Sequence, residues 1–272
     1  MSGIVRHAGS SWVHPSLTPG PEDCVEVSTL VEDDHYAEGM TNRVLRCLPG
    51  TSLRRRDDGA DTYLFVLSGE GRLLLAGPDG AFTTDQPVAA GTAALVPAGR
   101  EWVVVVEKGE LLITDTSVPA PPLPHASSLA REATGYQPVV RLGEAAREAA
   151  TSAREFEVLY GPSRGSAGAT QFVGYIPPSG APEHYHLYDE ICVIVRGRGR
   201  LHAAGEVSLL EAGSTFHVPP RFLHAVENTQ TTEDLWILGV FRPAGSAAAA
   251  YYPDGHPAPN NAPEDNPEPR DQ

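Results

Sequence analysis

Apolar residues in this chain come in short runs rather than helical stripes. Between residues 42 and 116 they read NRVLRCL, DTYLFVLSG, EGRLLLAG, GTAALVP, EWVVVVE and ELLITDT. Between 155 and 241 they read EFEVLYG, TQFVGYIP, EICVIVRG, STFHVP and DLWILGVF. Each run has strand length, is rich in β-branched or aliphatic residues, and is bounded by turn formers. The pattern predicts many short β-strands. The order of signals also repeats. DTYLFVLSGEGRLLLAG aligns with DEICVIVRGRGRLHAAG, and GTAALVPAGREWVVV with GSTFHVPPRFLHAVEN. The simplest reading is an all-β chain of two sandwich or small-barrel units related by duplication. WVVVV and ICVIV are too apolar to be solvated on either face, so the two units are expected to pack on each other. A homodimer is compatible with the same exposed edges.

Between the units, PAPPLPHASS cannot form a helix interior. LGEAAREAATSAR, residues 142–154, has the composition of a short helix. The predicted layout is a first unit over 1–118, a proline-rich linker and helix over 119–154, a second unit over 155–245, and a disordered tail over 246–272. The tail is placed there for its proline, asparagine and acid content.

Composition narrows the chemistry. The 272 residues carry a net charge of −15, which disfavours nucleic acid as a partner. The N-terminus lacks a signal-peptide core and no apolar run reaches membrane-spanning length. A soluble, cytoplasmic protein with no membrane partner is expected. Lys108 is the single lysine, which excludes a lysine Schiff base from the second half. Cys24, Cys47 and Cys192 are scattered and form no CxxC pair, so neither a disulfide framework nor a thiolate cluster is expected.

The candidate chemistry sits in HYHLYDE, residues 184–190. On extended backbone, His184 and His186 project to one face with Tyr185 turned away. Glu190 follows after a short bend and opens the next strand. His224 lies beyond a turn in PPRFLHAVEN. Three imidazoles and a carboxylate suit a divalent first-row metal and leave coordination positions open for catalysis. The remaining histidines are isolated. Of these, His202 and His217 lie on predicted strands near the site.

His184-x-His186-x3-Glu190-x6-Gly197 resembles the first motif of the cupin superfamily. Gly213-x5-Pro219-x4-His224-x3-Asn228 resembles the second, with Arg221 where a glycine is usual. The resemblance implies two tandem cupin-type antiparallel β-barrels, jelly-roll-like, in one chain: a bicupin. It also implies that His184, His186, Glu190 and His224 bind one divalent transition metal, iron favoured, with manganese, nickel or zinc as alternatives. Counting back from Gly69, the matching places in the first half hold Arg56, Asp58 and Thr62, with Trp102 in place of the last histidine. The first barrel is therefore expected to be degenerate and metal-free.

Cupins host many reactions, so fold does not choose among them. The leading expectation is a dioxygenase-like enzyme acting on a small aromatic or enol-type molecule. The alternatives are a non-redox isomerase, cyclase or hydrolase resembling the ureidoglycine aminohydrolases, whose ligand set differs, and a non-enzymatic binding module. Glu190 is the candidate acid–base group. Phe172, Tyr175, His202, His217 and Trp236 are the candidate substrate-binding residues.

Overall fold

The computed structural model describes residues 5–8, 23–32, 39–120, 135–150, 153–166 and 168–259. Each half forms a barrel of two antiparallel sheets. In the first half, a 6-stranded sheet runs in the spatial order Val139–Arg141, Thr92–Val96, Ala60–Ser68, Leu111–Pro119, Thr41–Cys47, Val25–Val31. It faces a 4-stranded sheet of Gly50–Thr51, Trp102–Val106, Glu70–Ala76 and Phe82–Ala89. In the second half, a 7-stranded sheet has the order Val5–His7, Ser214–Val218, Asp189–Arg196, Leu235–Arg242, Thr170–Ile176, Glu155–Tyr160, Glu148–Ala149. It faces a 3-stranded sheet of Glu206–Glu211, Arg198–Ala203 and His224–Asn228.

The doubly apolar runs have a direct explanation. Along Asp189–Arg196, Cys192 and Ile194 point into the second barrel, with Leu201, Phe216 and Ile237. Ile191 and Val193 point the other way, into a core shared with Tyr63, Phe65, Ala93 and Leu95 of the first barrel. The two large sheets are stacked through their outer faces, with ICVIV between them; WVVVV takes no part in the shared core, because Trp102–Val106 lies in the 4-stranded sheet and turns Trp102, Val104 and Val106 into the first barrel. Tyr63 and Ser166 close a hydrogen bond of 2.6 Å across this interface.

Two strands cross between the halves. Val5–His7, from the first half, pairs with Ser214–Val218, with Val5 opposite Phe216. Val139–Arg141, from the connector, pairs with Thr92–Val96, with Val139 opposite Ala94. Ala94 and Phe216 hold the same place in the two repeats, so equivalent barrel edges are covered in the same way. Both large sheets thus take in strands from outside the expected spans 1–118 and 155–245.

The helix expected over 142–154 is absent from the described part of that segment. The described residues contain one helical turn, the 3-10 segment Pro162–Arg164. Residues 142–145 form turns and bends, and Glu148–Ala149 adds to the sheet edge against Glu155 and Phe156. Propensity loses here to a buried carboxylate. Glu157 accepts the backbone N–H groups of Gly143 (2.8 Å) and Ala145 (3.1 Å), which fixes the turn. Of the expected disordered tail, residues 246–259 are folded: Ala248, Ala250 and Ala258 are buried, and Tyr251 bridges to Tyr185 and Pro257. Their short alanines fit against the barrel where longer side chains would not. Residues 260–272 and most of the proline-rich linker lie outside the described residues. No helix among those residues is long and apolar enough to cross a membrane.

Because one core serves both barrels, they should unfold together. Leu238→Ala, which empties a fully enclosed place in that core, is expected to cost about 2–5 kcal/mol. Denaturant unfolding followed by fluorescence and by circular dichroism should show one shared, down-shifted transition. Two separated transitions would show that the barrels are independent.

Candidate metal centre

His184 and His224 face each other in an isolated antiparallel bridge, exchanging backbone hydrogen bonds of 3.0 and 2.9 Å. Alternation carries the Tyr185 ring outward, where it stacks on Tyr251 at 5.5 Å, and returns His186 to the inner face. His184, His186 and His224 are all buried, and each offers a ring nitrogen within 4.8 Å of the other two. Their tautomers are set by the backbone. The Nδ1 atoms of His184, His186 and His224 pair with the carbonyl oxygens of Pro182 (2.8 Å), Ala249 (2.8 Å) and Phe222 (3.0 Å). A carbonyl only accepts, so Nδ1 carries the proton and each Nε2 keeps its lone pair for an ion.

Glu190 points into the same cavity, with Oε2 3.8 Å from Nε2 of His186. Its room comes from Gly239 on the neighbouring strand. A Cβ there would lie 2.5 Å from Glu190 Oε1 and 2.3 Å from the Phe172 ring. Burial dominates the electrostatics. It pushes His186 down to about 3 and His224 to about 4, and holds His184 well below the usual imidazole value. Burial also raises Glu190 to about 8, against a lowering hydrogen bond from the Cys192 thiol. Neutral imidazoles and a protonated carboxyl are what a buried ligand set looks like before a cation arrives. The donor set, its orientation and its burial fit a divalent metal, and the histidines can hold one.

The cavity over these groups measures about 60 Å³. Phe156, Phe172, Tyr188 and Arg154 are among its lining residues. Aromatic side chains of the protein already fill it. Tyr188 stacks on His186 at 4.5 Å and on Phe241 at 3.9 Å.

The expected substrate-binding residues divide. Phe172 lines the cavity. Tyr175 touches its margin, but its hydroxyl donates to Glu157 Oε2 at 3.3 Å. His202, His217 and Trp236 are not on it. In each case strand alternation sends the neighbours inward and these side chains outward. Leu201 and Ala203 fill the barrel while His202 pairs with Glu227 (2.9 Å). Phe216 and Val218 fill it while His217 meets Asp189 Oδ1 (2.5 Å). Trp236 packs on Tyr175 at 5.1 Å and lines a separate groove of about 830 Å³. Arg154, Tyr188, Gly239 and Ala249 belong to the site and were not read from sequence. The tail's composition concealed Ala249, and the helix-like composition of 142–154 concealed Arg154.

The register of the first barrel also needs correcting. The bridge equivalent to His184–His224 joins Arg55 to Trp102, not Arg56. The Gly99 N–H to Asp57 carbonyl bond (2.6 Å) matches the Arg221 N–H to His186 carbonyl bond (2.7 Å). The first-barrel counterparts are therefore Arg55, Asp57, Thr62 and Trp102. The loop is one residue longer than counting from Gly69 implies. Arg56 and Asp58 pair with each other at the surface (2.6 Å).

Residues 172–241 match the family described as Cupin domain. No curated protein matches the chain. Among solved structures, AerE from Microcystis aeruginosa superposes with a TM-score of 0.63 at 16% identity, over 85% of this chain and 96% of that one. The Bacillus subtilis oxalate decarboxylase, described for its Mn(II) centres, gives 0.64 at 14%, over 91% and 79%. The coconut allergen cocosin gives 0.65 at 12%, over 84% and 83%. Such identities speak for the fold alone. Residues 172–241 thus carry a Cupin domain, and the chain as a whole shares the two-barrel fold of these structures.

Metal uptake should release protons in a defined number. At pH 7 the imidazoles are already neutral, while Glu190, at about 8, still carries its proton. Binding of Zn²⁺ at pH 7 is expected to release about one proton more per ion in the wild type than in Glu190→Gln. Calorimetry in buffers of different ionisation enthalpy measures this, and equal release in the two would show that the Glu190 carboxyl is already ionised at pH 7. Gly239→Ala should crowd Glu190 and Phe172 and weaken metal binding about tenfold or more. Equilibrium dialysis reads that loss.

Proposed function

We propose that the chain is a metal-dependent enzyme acting on a small organic molecule at His184, His186, Glu190 and His224. The observation that carries this reading is the convergence of three buried, neutral imidazoles, each locked by a backbone carbonyl, beside a buried carboxyl at the floor of a small cavity. An ion held there supplies open positions for a chelating substrate and, if redox-active such as iron, for dioxygen. The three Nε2 atoms and Glu190 would hold it. Phe156, Phe172 and Tyr188 keep bulk water out and strengthen every electrostatic contact inside. The leading assignment within this class is a dioxygenase-like reaction.

A second reading, non-redox proton transfer as in an isomerase, is favoured by Glu190 itself. It lies outside the tight histidine group, is raised to about 8, and is hydrogen-bonded to Cys192. A carboxyl so poised can hold or release a proton near neutral pH.

Metal analysis of aerobically and anaerobically purified protein, followed by oxygen uptake with small enols and diols, separates the two. Oxygen consumed in step with substrate supports the first. Solvent deuterium entering substrate without oxygen uptake supports the second. In either case His186→Ala should lower bound metal and turnover together by about a hundredfold or more, with unchanged circular dichroism. Asp57→Ala should leave metal content as in the wild type. Loss of metal in the Asp57 variant would place a ligand set in the first barrel.

A further inference from the structure

The Nδ1 partners of the three histidines differ in where they come from. Pro182 and Phe222 stand two residues before His184 and His224, so those carbonyls travel with their own histidines. The carbonyl that meets His186 belongs to Ala249, 63 residues further along the chain. Residues 246–259 contribute no strand to the four sheets. The tautomer of His186 thus depends on a segment that the barrel frame does not contain. With Ala249 docked, the proton stays on Nδ1 and Nε2 is free for an ion. With the segment lifted, the ring loses its acceptor, and the other tautomer competes.

The segment is fastened to the site at several points. Ahead of it, Thr170 Oγ1 donates to the Gly245 carbonyl at 3.0 Å and accepts the Gly245 N–H at 3.1 Å. Ala248 is buried among Phe156, Phe172, Tyr188 and Phe241, and Ala247 lines the metal cavity. Two residues past the Ala249 carbonyl, Tyr251 exchanges backbone hydrogen bonds of 3.0 and 2.9 Å with Tyr185. Its ring lies on the Tyr185 ring, 16° from parallel. Tyr185 stands between His184 and His186, so the segment clasps the ligand-bearing stretch itself, from its outer face. Residues 246–250 are one serine and four alanines, which bury little apolar area. The aromatic stack of Tyr251 therefore carries a large share of the hold.

We infer that residues 246–259 are a latch on the metal site and that Tyr251 is the positioning residue that fastens it. The Tyr251 ring holds the segment, the Ala249 carbonyl holds His186, and His186 holds its nitrogen ready for the ion. The inference rests on the metal-site reading above and adds a means of regulating that site. Coupling of this kind is reciprocal. What the docked latch adds to affinity for the ion, the ion returns as protection of the latch.

The test uses the full chain and three variants, Tyr251→Ala, Tyr251→Phe and Tyr251→Pro, with folding checked by circular dichroism. Co²⁺ affinity is read from the visible spectrum of the ion. Tyr251→Phe keeps the stack and should bind as the wild type does. Tyr251→Ala should bind about two- to tenfold more weakly. Tyr251→Pro, which also removes the N–H given to Tyr185, should bind more weakly still. Hydrogen exchange within 246–259 should be slowed by Co²⁺ in the wild type. Equal Co²⁺ affinity in the wild type and a folded Tyr251→Pro would overturn the inference, as would exchange in 246–259 indifferent to Co²⁺. If the proline variant does not fold, Tyr251→Ala decides in its place. If the wild type takes up no Co²⁺, the metal reading fails by itself. The latch is then read on the metal-free chain by magnetic resonance of the imidazole nitrogens. His186 fixed in the Nδ1–H form in the wild type and released from it in the proline or alanine variant sustains the latch. A His186 signal unchanged by both substitutions overturns it.

Discussion

The structure depends on one constraint: the central strands of the two large sheets are buried on both faces. Asp189–Arg196 shows how much follows. Its odd residues, Ile191 and Val193, must meet the first barrel, so its even residues, Glu190 and Cys192, must enter the second. A carboxylate at position 190 is thereby committed to the interior. The histidines reach it from the stretch just before this strand and from the facing sheet. The stacking of the barrels and the placement of the candidate ligands are one geometric decision.

The same alternation explains what could be read from the sequence. HxH on extended backbone, glutamate at the head of the next strand, and histidine after a proline turn were legible because period-two geometry is local. His202, His217 and Trp236 were legible in principle too. Each is flanked by apolar residues that fill the barrel, and parity then sends it outward. What no pattern carried was contact between distant segments. The carbonyl that holds His186 comes from Ala249, 63 residues away, and its side chain advertises nothing. Glu157 undoes the helix-like composition of 142–154 through backbone groups alone. A one-residue difference in loop length moved the first barrel's register from Arg56 to Arg55, because counting from a glycine assumes loops of equal length.

The two barrels solve one packing problem with different chemistry. Where the second places His184 across from His224, the first places Arg55 across from Trp102. The guanidinium lies over that ring at 5.9 Å and pairs with the buried carboxylate of Asp23 at 2.6 Å. Here a covalently attached cation stands in the barrel, with its counter-charge supplied by the chain. Such a pair needs nothing from solution, and removing either member would strand a charge in a desolvated place.

The crossing strand Val5–His7 bears on how the molecule comes into being. Val5–His7 comes before the whole first barrel in the chain, and its partner, Ser214–Val218, follows only after that barrel has been made. The strand Val5–His7 must wait unpaired until the edge strand of the second barrel exists to receive it. Order of manufacture and order of assembly therefore run in opposite directions in this protein. The barrel carrying the histidines is closed by a strand that precedes the whole first barrel in the chain.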